Sequence, residues 1–350
     1  MGTSMIVALA FQIAGIKPTF ESHLVKELTK LAGSRAVASL RNYIDRAGPG
    51  LDVQFTFLDA KSDVVARLTG DSSLKDVLIS QDGTIVVARV ETFTDSKPSH
   101  VTDILVVNKD GLVAKTHLLN GCLIALQNDS VLCSYYDMPI IRFGPDPVFG
   151  SWTTKKVTDD RETFLYPDGE TFWFTRNDDA LKKSFASQMA KDGTLQKSIE
   201  IGNYGNSIVQ GPVDASFLFF TQFHFTGDGF GGYDSLFVKD LESGTVRELC
   251  PKMELHRQIW LAGPRCLGYF AGGRSNQKMT FYSPTSGRSM TLGPTLTSAS
   301  CASLGPDSAI VVGRNNSGKS VIYLMKPGKG SLDKISIAGV SDPNEVCSCR

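Results

Sequence analysis

One hairpin pattern recurs six times along this chain of 350 residues. In each copy a short apolar strand leads through a polar turn into a more strongly apolar strand. The turns are anchored, between 39 and 51 residues apart, on Asp82, Asp129, Asp168, Asp214, Arg265 and Asp307. A fixed period of roughly 20–50 residues is typical of repeat folds, in which each unit buries its apolar face against its neighbours. The sequence therefore predicts one repeat architecture rather than two unrelated domains.

A second hairpin type falls between these copies, for example at residues 104–118 and 235–249. Its turn carries Asp-Gly or Ser-Gly, because a tight reversal needs a residue that tolerates positive φ. The two alternating hairpins give four strands per unit, which is the composition and period of a β-propeller blade.

An incomplete unit precedes the six. The hairpin at residues 55–68 would supply the outer strands of a blade whose inner strands come from elsewhere in the chain. Residues 5–12 are apolar and could provide one of them, by pairing with the C-terminal blade and closing the ring. We expect an all-β fold of seven blades, with six blades and an appended hairpin as the alternative.

The N-terminal region has a helical pattern. Between residues 19 and 47, apolar side chains recur at spacings of three and four, and Gly33-Ser34 would separate two helices. We expect an N-terminal strand with a short helical extension in residues 1–50, the propeller in residues 51–340 and a frayed polar tail in residues 341–350.

Residues 166–176, YPDGETFWFTR, resemble the PD40 repeat of TolB-type and prolyl-oligopeptidase-type propellers. Residues 304–307 and 80–83 are weaker echoes of the same repeat. The resemblance implies architecture only. The Gly-x-Ser-x-Gly motif of hydrolases does not occur, so no catalytic residue is carried onto this chain.

The composition limits which binding partners and which cellular compartment are expected. Lys plus Arg and Asp plus Glu both total 36, so nucleic acid is not an expected partner. Seven scattered cysteines favour reduced thiols in the cytoplasm, and Asn-x-Ser sites at Asn128 and Asn315 leave secretion as the alternative. The apolar run at residues 5–16 is shorter than the about 20 residues of a membrane span, so none is expected. We assign no metal and no cofactor.

Residues 313–320, GRNNSGKS, match the phosphate-binding pattern G-x-x-x-x-G-K-[ST]. Phosphate binding there also requires the N-terminus of a following helix. The next residues, VIYLMK, are typical of a strand. We therefore predict a strand-to-strand loop.

Candidate functional residues cluster in the loops between the second and third strands of the units. These loops leave a four-stranded blade on the same face as the blade-to-blade connections. That face would carry His100, Asp103, Arg176, Asp178, Asp179, His224, Asp228, Asp234 and Arg274. No catalytic role is assigned to any of them.

Two functions fit this face. The first is a non-catalytic module that presents its loops to a protein or small-ligand partner. The alternative is a hydrolase or lyase with a polar or metal site at the mouth of the central channel. Convergence of His100, Asp178, His224 and Asp228 on one pocket would favour the enzyme.

Overall fold

The computed structural model describes most of the chain. The described ranges are 18–45, 51–93, 100–118, 122–127, 129–134, 139–158, 162–168, 170–190, 192–204, 207–214, 216–226, 232–253, 259–261, 267–271, 276–305, 308–326 and 329–349.

Within these ranges, one helix and many strands follow one another. The helix is α1 (Pro18–Thr29), and the first strands are β1 (Ala38–Asp45), β2 (Leu51–Leu58), β3 (Val64–Asp71), β4 (Leu74–Ile79), β5 (Val86–Phe93), β6 (His100–Asn108), β7 (Gly111–Leu118), β8 (Leu123–Gln127), β9 (Ser130–Ser134), β10 (Ile141–Pro145), β11 (Trp152–Lys156), β12 (Glu162–Asp168), β13 (Thr171–Asp178) and β14 (Lys183–Ala190). The later strands are β15 (Leu195–Asn203), β16 (Ser207–Asp214), β17 (Phe217–Phe225), β18 (Gly232–Asp240), β19 (Val246–Met253), β20 (Ile259–Leu261), β21 (Leu267–Ala271), β22 (Gln277–Ser283), β23 (Arg288–Gly305), β24 (Ser308–Arg314), β25 (Ser320–Lys326), β26 (Ser331–Ile335) and β27 (Glu345–Ser348).

Antiparallel pairing joins the strands into six sheets, which we number along the chain. Their strand orders are β27-β1-β2-β3, β4 to β7, β8 to β11, β12 to β15, β16 to β19 and β20 to β26. The predicted β-propeller is confirmed. If each sheet is counted as one blade, the propeller has six blades.

The sixth sheet contains two four-stranded units that share one long strand. The 18-residue strand β23 pairs with β22 through its first half and with β24 through its second half. The six predicted hairpin units are therefore present in phase, and sheet 1 is a seventh unit assembled from distant segments.

The order of strands defines two faces of the propeller. Neighbouring strands alternate in direction, so the loops between second and third strands leave each sheet on the same side as the sheet-to-sheet connections. We call this side the upper face. The remaining turns, between first and second strands and between third and fourth strands, form the lower face.

Burial follows strand position within the sheets. In β5, Val86, Val87 and Ala88 are all fully buried, because a middle strand is covered on both sides by neighbouring sheets. The outer strand β11 is mostly exposed and polar. The apolar runs that predicted the second strand of each unit thus correspond to the core of the propeller.

Sheet 1 is closed by the C-terminal strand. The segment Glu345–Ser348 pairs antiparallel with β1, matching Arg41 to Glu345 and Ala38 to Ser348. The predicted frayed tail is therefore wrong for these residues, because the edge of β1 gives their backbone groups hydrogen-bond partners. The hairpin β2–β3 does receive its inner strands from elsewhere, as predicted. The proposed closing segment, residues 5–12, lies outside the described residues.

The N-terminal extension contains one described helix, α1. Its residues Leu24 and Leu28 are buried in the core cluster shared with sheets 1 and 2. The second predicted helix is wrong, because residues 38–45 form β1. This strand pairs along its whole length with β2, and with β27 on its other side, so tertiary pairing outweighs the local three- and four-residue spacing.

Candidate functional site

Asp103 lies in the middle of β6 and is only 1% exposed. Its Oδ1 atom is 2.9 Å from His117 Nδ1 and 3.9 Å from Lys115 Nζ, both on the neighbouring strand β7. Lys115 Nζ in turn lies 2.6 Å from Glu21 Oε2 on α1. This predicted site residue therefore belongs to an ionic cluster that ties α1 to sheet 2.

Arg176, Asp178 and Asp179 lie together at the upper end of β13. Arg176 Nη1 is 3.7 Å from Asp178 Oδ2, and Asp179 Oδ1 is 3.8 Å from Lys182 Nζ. Asp178 Oδ1 also accepts hydrogen bonds from the backbone N–H groups of the following turn, at residues 180 and 181. In this turn the aspartate organises the backbone, as short polar side chains commonly do.

His224 and Asp234 lie near the upper end of the β17–β18 hairpin. The His224 ring stacks on Tyr233, with ring centroids 5.0 Å apart, and Lys252 Nζ lies 5.6 Å from the Tyr233 centroid. Asp234 pairs with Phe223 in the ladder and is 1% exposed. An aromatic and cationic stack thus surrounds His224, one of the residues expected on the loop face.

The predicted convergence is not tested by these contacts. His100 begins β6, but its side chain, Asp228 and Arg274 lie outside the described residues. The contacts named above for the other candidates lie within single sheets or reach α1. Assembly of these residues into one pocket therefore stays a prediction.

The phosphate-loop pattern forms a turn between β24 and β25. Asn315 Oδ1 accepts hydrogen bonds from the backbone N–H groups of Ser317 and Lys319, at 3.0 Å each. A strand, β25, follows directly instead of the helix that phosphate binding requires. The prediction of a strand-to-strand loop is confirmed.

Sequence reasoning missed an apolar feature of the upper face. Large apolar side chains that are 37–67% exposed stand at the upper strand ends and turns of sheets 1, 2, 4 and 5. They are Tyr43, Ile44, Leu51, Phe93, Leu181, Tyr204 and Phe225. The signal was an apolar residue directly beside a polar turn, where strand patterning alone does not distinguish a core residue from an exposed one.

An ionic cluster on the inner strands was also missed. Arg41 Nη1 lies 2.8 Å from Glu345 Oε1, and Arg41 Nη2 lies 3.5 Å from Asp76 Oδ1. Asp76 also pairs with Arg89, which reaches Glu91. Burial acts to lower the pKa of Arg41, but the nearby Cys347 and Glu345 outweigh it and raise that pKa above its usual value.

This inner cluster joins four strands, β27, β1, β4 and β5. No local motif predicts it, because about 250–300 residues separate β27 from the other three strands. It contains three carboxylates and two guanidinium groups close to the channel side of sheets 1 and 2.

The described residues lack two features. Within these ranges, no group of three or more His, Cys, Asp and Glu side chains is arranged to hold a metal ion. In the same part of the chain, no helix is both long and apolar enough to cross a membrane.

Comparison with known proteins identifies the architecture. No protein-family model matches the sequence, and no curated protein matches it. Among solved structures, the propeller domain of the trilobed protease from Pyrococcus furiosus is similar, with a TM-score of 0.55 and 10% identity over 88% of this chain and 96% of that one. The chain is a β-propeller.

Two more solved structures are similar to this chain. Prolyl oligopeptidase B from Galerina marginata gives a TM-score of 0.57 and 13% identity over 91% of this propeller, which spans only 52% of that enzyme. TolB from Acinetobacter baumannii matches over 90% of this chain and 83% of its own, at 13% identity and a TM-score of 0.41. The trilobed protease and prolyl oligopeptidase B confirm the predicted PD40-type resemblance as architecture, and such low identities show the fold alone.

Proposed function

We propose that this propeller is a binding module that presents its upper face to a protein partner. The observation that carries the proposal is the set of seven exposed apolar side chains described above, contributed to one face by four sheets. Phe93, Leu181 and Phe225 are each more than 60% exposed. Exposed aliphatic side chains also occur on the lower face, but four of these seven are aromatic, and aromatic side chains are enriched at protein interfaces.

The chemistry of the partner follows from the lysines beside these rings. Lys75 Nζ lies 5.9 Å from the Phe93 ring centroid, and Lys182 Nζ lies 5.3 Å from that of Tyr204. Aromatic anchors with adjacent cations suit a protein segment that carries both apolar and acidic side chains. Arg176, Asp178, Asp179 and His224 would then form part of the surrounding rim, whereas Asp103 and Asp234 are buried.

A propeller hydrolase or lyase is the second candidate. The inner ionic cluster favours it, because inner strands surround the central channel and Glu345 is 39% exposed there. In the described contacts, however, each guanidinium of the cluster already faces carboxylates. That arrangement suits a structural clasp better than a site awaiting substrate.

The test compares two triple variants of the full chain. Phe93→Ser, Leu181→Ser and Phe225→Ser alter the upper face, whereas Leu195→Ser, Val246→Ser and Met290→Ser alter exposed residues of the lower face. Quantitative affinity purification from cell extract should recover a specific partner with the wild type and the lower-face variant and lose it with the upper-face variant. Equal recovery by both variants would reject the upper face as the binding surface.

A further inference from the structure

A groove of about 490 Å³ lies on the lower face between sheets 2 and 3. Its apolar lining includes Ile85, Val113, Pro145 and Trp152, and the end of the N-terminal helical segment borders it at Ala32. Val113 is 41% exposed, so the lining is open to solvent. The charged residues at this groove are Lys109, which is exposed, and Asp129, whose Oδ1 lies 3.6 Å from Arg142 Nη2.

A rigid apolar projection stands beside the groove. Val148 and Phe149 form the tip of the β10–β11 hairpin and are 78% and 83% exposed. Asp146 Oδ1 accepts hydrogen bonds from both of their backbone N–H groups, at 2.8 Å and 3.0 Å. The base of the same hairpin, Pro145 and Trp152, lines the groove. The turn therefore orders the backbone that carries two exposed apolar side chains at the rim of an apolar depression.

The charges of the two features are complementary. The hydrogen bonds donated by the backbone of Phe149 and then Val148 hold the pKa of Asp146 below its usual range, so the carboxylate is ionised at neutral pH. Among the described residues, no ion pair involves Asp146 or Lys109 within 4.0 Å. The projection thus carries an anion and the groove carries a cation, each available to a second molecule.

We infer that this surface is a two-fold interface between two copies of the chain. In an interface of this symmetry, the same patch meets itself, so a projection and a matching depression must lie side by side on one molecule. Each copy inserts Val148 and Phe149 into the partner's groove, and Asp146 of one copy approaches the partner's Lys109.

The area available indicates a weak dimer. Two projections and two grooves would bury roughly 1,000 Å² in total, taking about 150–250 Å² for a phenylalanine and less for a valine. Stable specific interfaces bury about 1,200–2,000 Å², so we expect this dimer to form only at high protein concentration. The inference is independent of the proposed function, because dimerisation through the lower faces leaves both upper faces outward.

Sedimentation velocity of the full chain from about 1 to 300 µM measures this equilibrium. The wild type should shift from monomer to dimer across the range. Phe149→Ser should weaken association at least tenfold, whereas Phe225→Ser, at a phenylalanine that is 67% exposed on the upper face, should leave it unchanged. A wild type that is monomeric throughout, or a Phe149→Ser variant that associates normally, would overturn the inference.

Two groove variants separate loss of the interface from loss of the fold. Val113→Arg obstructs the groove and Lys109→Glu reverses its charge, and both positions are exposed. Each should weaken association while the melting temperature stays within about 2 °C of the wild type. A mixture of Phe149→Ser with Val113→Arg retains one intact projection and one intact groove, so it should associate more strongly than either variant alone. If the mixture associates no better, the proposed pairing is wrong.

Discussion

Removal of the closing strand should destabilise the whole propeller. A chain that ends at Pro343 loses β27 and the hydrogen bonds from Asn344 N to Arg41 O and from Cys349 N to Val37 O, at 2.9 Å and 3.0 Å. It also loses the bond from Ile79 N to Cys349 O, at 2.7 Å. At about 1 kcal/mol net each, these three bonds contribute about 3 kcal/mol.

Apolar burial adds to this loss. Val346 is 4% exposed, and burial of a valine side chain contributes about 2 kcal/mol. The truncated chain should therefore unfold with about 5 kcal/mol less free energy. At roughly 2 °C per kcal/mol for a protein of this size, the melting temperature should fall by about 10 °C. The uncovered edge of β1 should also promote aggregation.

Differential scanning calorimetry and static light scattering measure both effects. Val346→Ala provides an intermediate case and should cost about 2 kcal/mol. Val246→Ala makes the same chemical change at a site that is 49% exposed and should cost less than about 0.5 kcal/mol. A truncated chain that melts within 2 °C of the wild type, without added scattering, would refute the closing role of β27.

Three further predictions concern single residues. Gly83→Ala should lower the unfolding free energy measured in urea by about 1 kcal/mol more than Gly244→Ala does, and equal losses would contradict this. Both glycines have a φ near +75°, but only at Gly83 would a Cβ meet a backbone oxygen, at 3.0 Å. Burial raises the pKa of Cys347 to about 11, so the rate of its alkylation by iodoacetamide should rise about tenfold for each pH unit between pH 8 and pH 10. Mass spectrometry measures this rate, and a rate that levels off near pH 9 would show a thiol with an ordinary pKa. Asp76→Asn removes the carboxylate between two mostly buried guanidinium groups and should lower the unfolding free energy by about 2 kcal/mol. A change below about 0.5 kcal/mol would show that the inner cluster contributes no more to stability than a surface ion pair.

The hairpins were predictable because their turns are local. Asp82 Oδ1 accepts hydrogen bonds from Ser80 Oγ and from the backbone N–H of Thr84, all within a few residues. Asp240 likewise accepts from the N–H groups of residues 242 and 243. Such turns are specified by adjacent residues, so their period along the chain predicted both the fold class and the phase of the units.

The closure of the ring was not predictable from local patterns. Strand β27 has only four residues, and its ladder partner β1 lies near the other end of the chain. The three- and four-residue spacing of apolar residues in the β1 region suggested a helix instead. The polar composition of residues 341–350 suggested a frayed tail. Only the requirement for inner strands in sheet 1 pointed to distant segments.

The candidate site was predicted in position but not in its contacts. The upper-face loops do carry polar residues, yet Asp103 is buried against His117, which no motif singled out. The sequence gives no register for the β6–β7 hairpin, and register decides which side chains share a face. Exposed phenylalanines at strand ends also look the same as core phenylalanines in a linear pattern.

The pairing of β27 with β1 has a consequence for synthesis on the ribosome. About 300 residues separate the two strands, so at roughly 5–20 residues per second the ribosome needs about 15–60 s to deliver the partner of β1. Sheets 2 to 6 can hydrogen-bond their strands in order of emergence, but β1 must wait with one edge unpaired. The nascent chain is therefore most exposed to mispairing at its earliest strand, and this is where a chaperone would have the most effect.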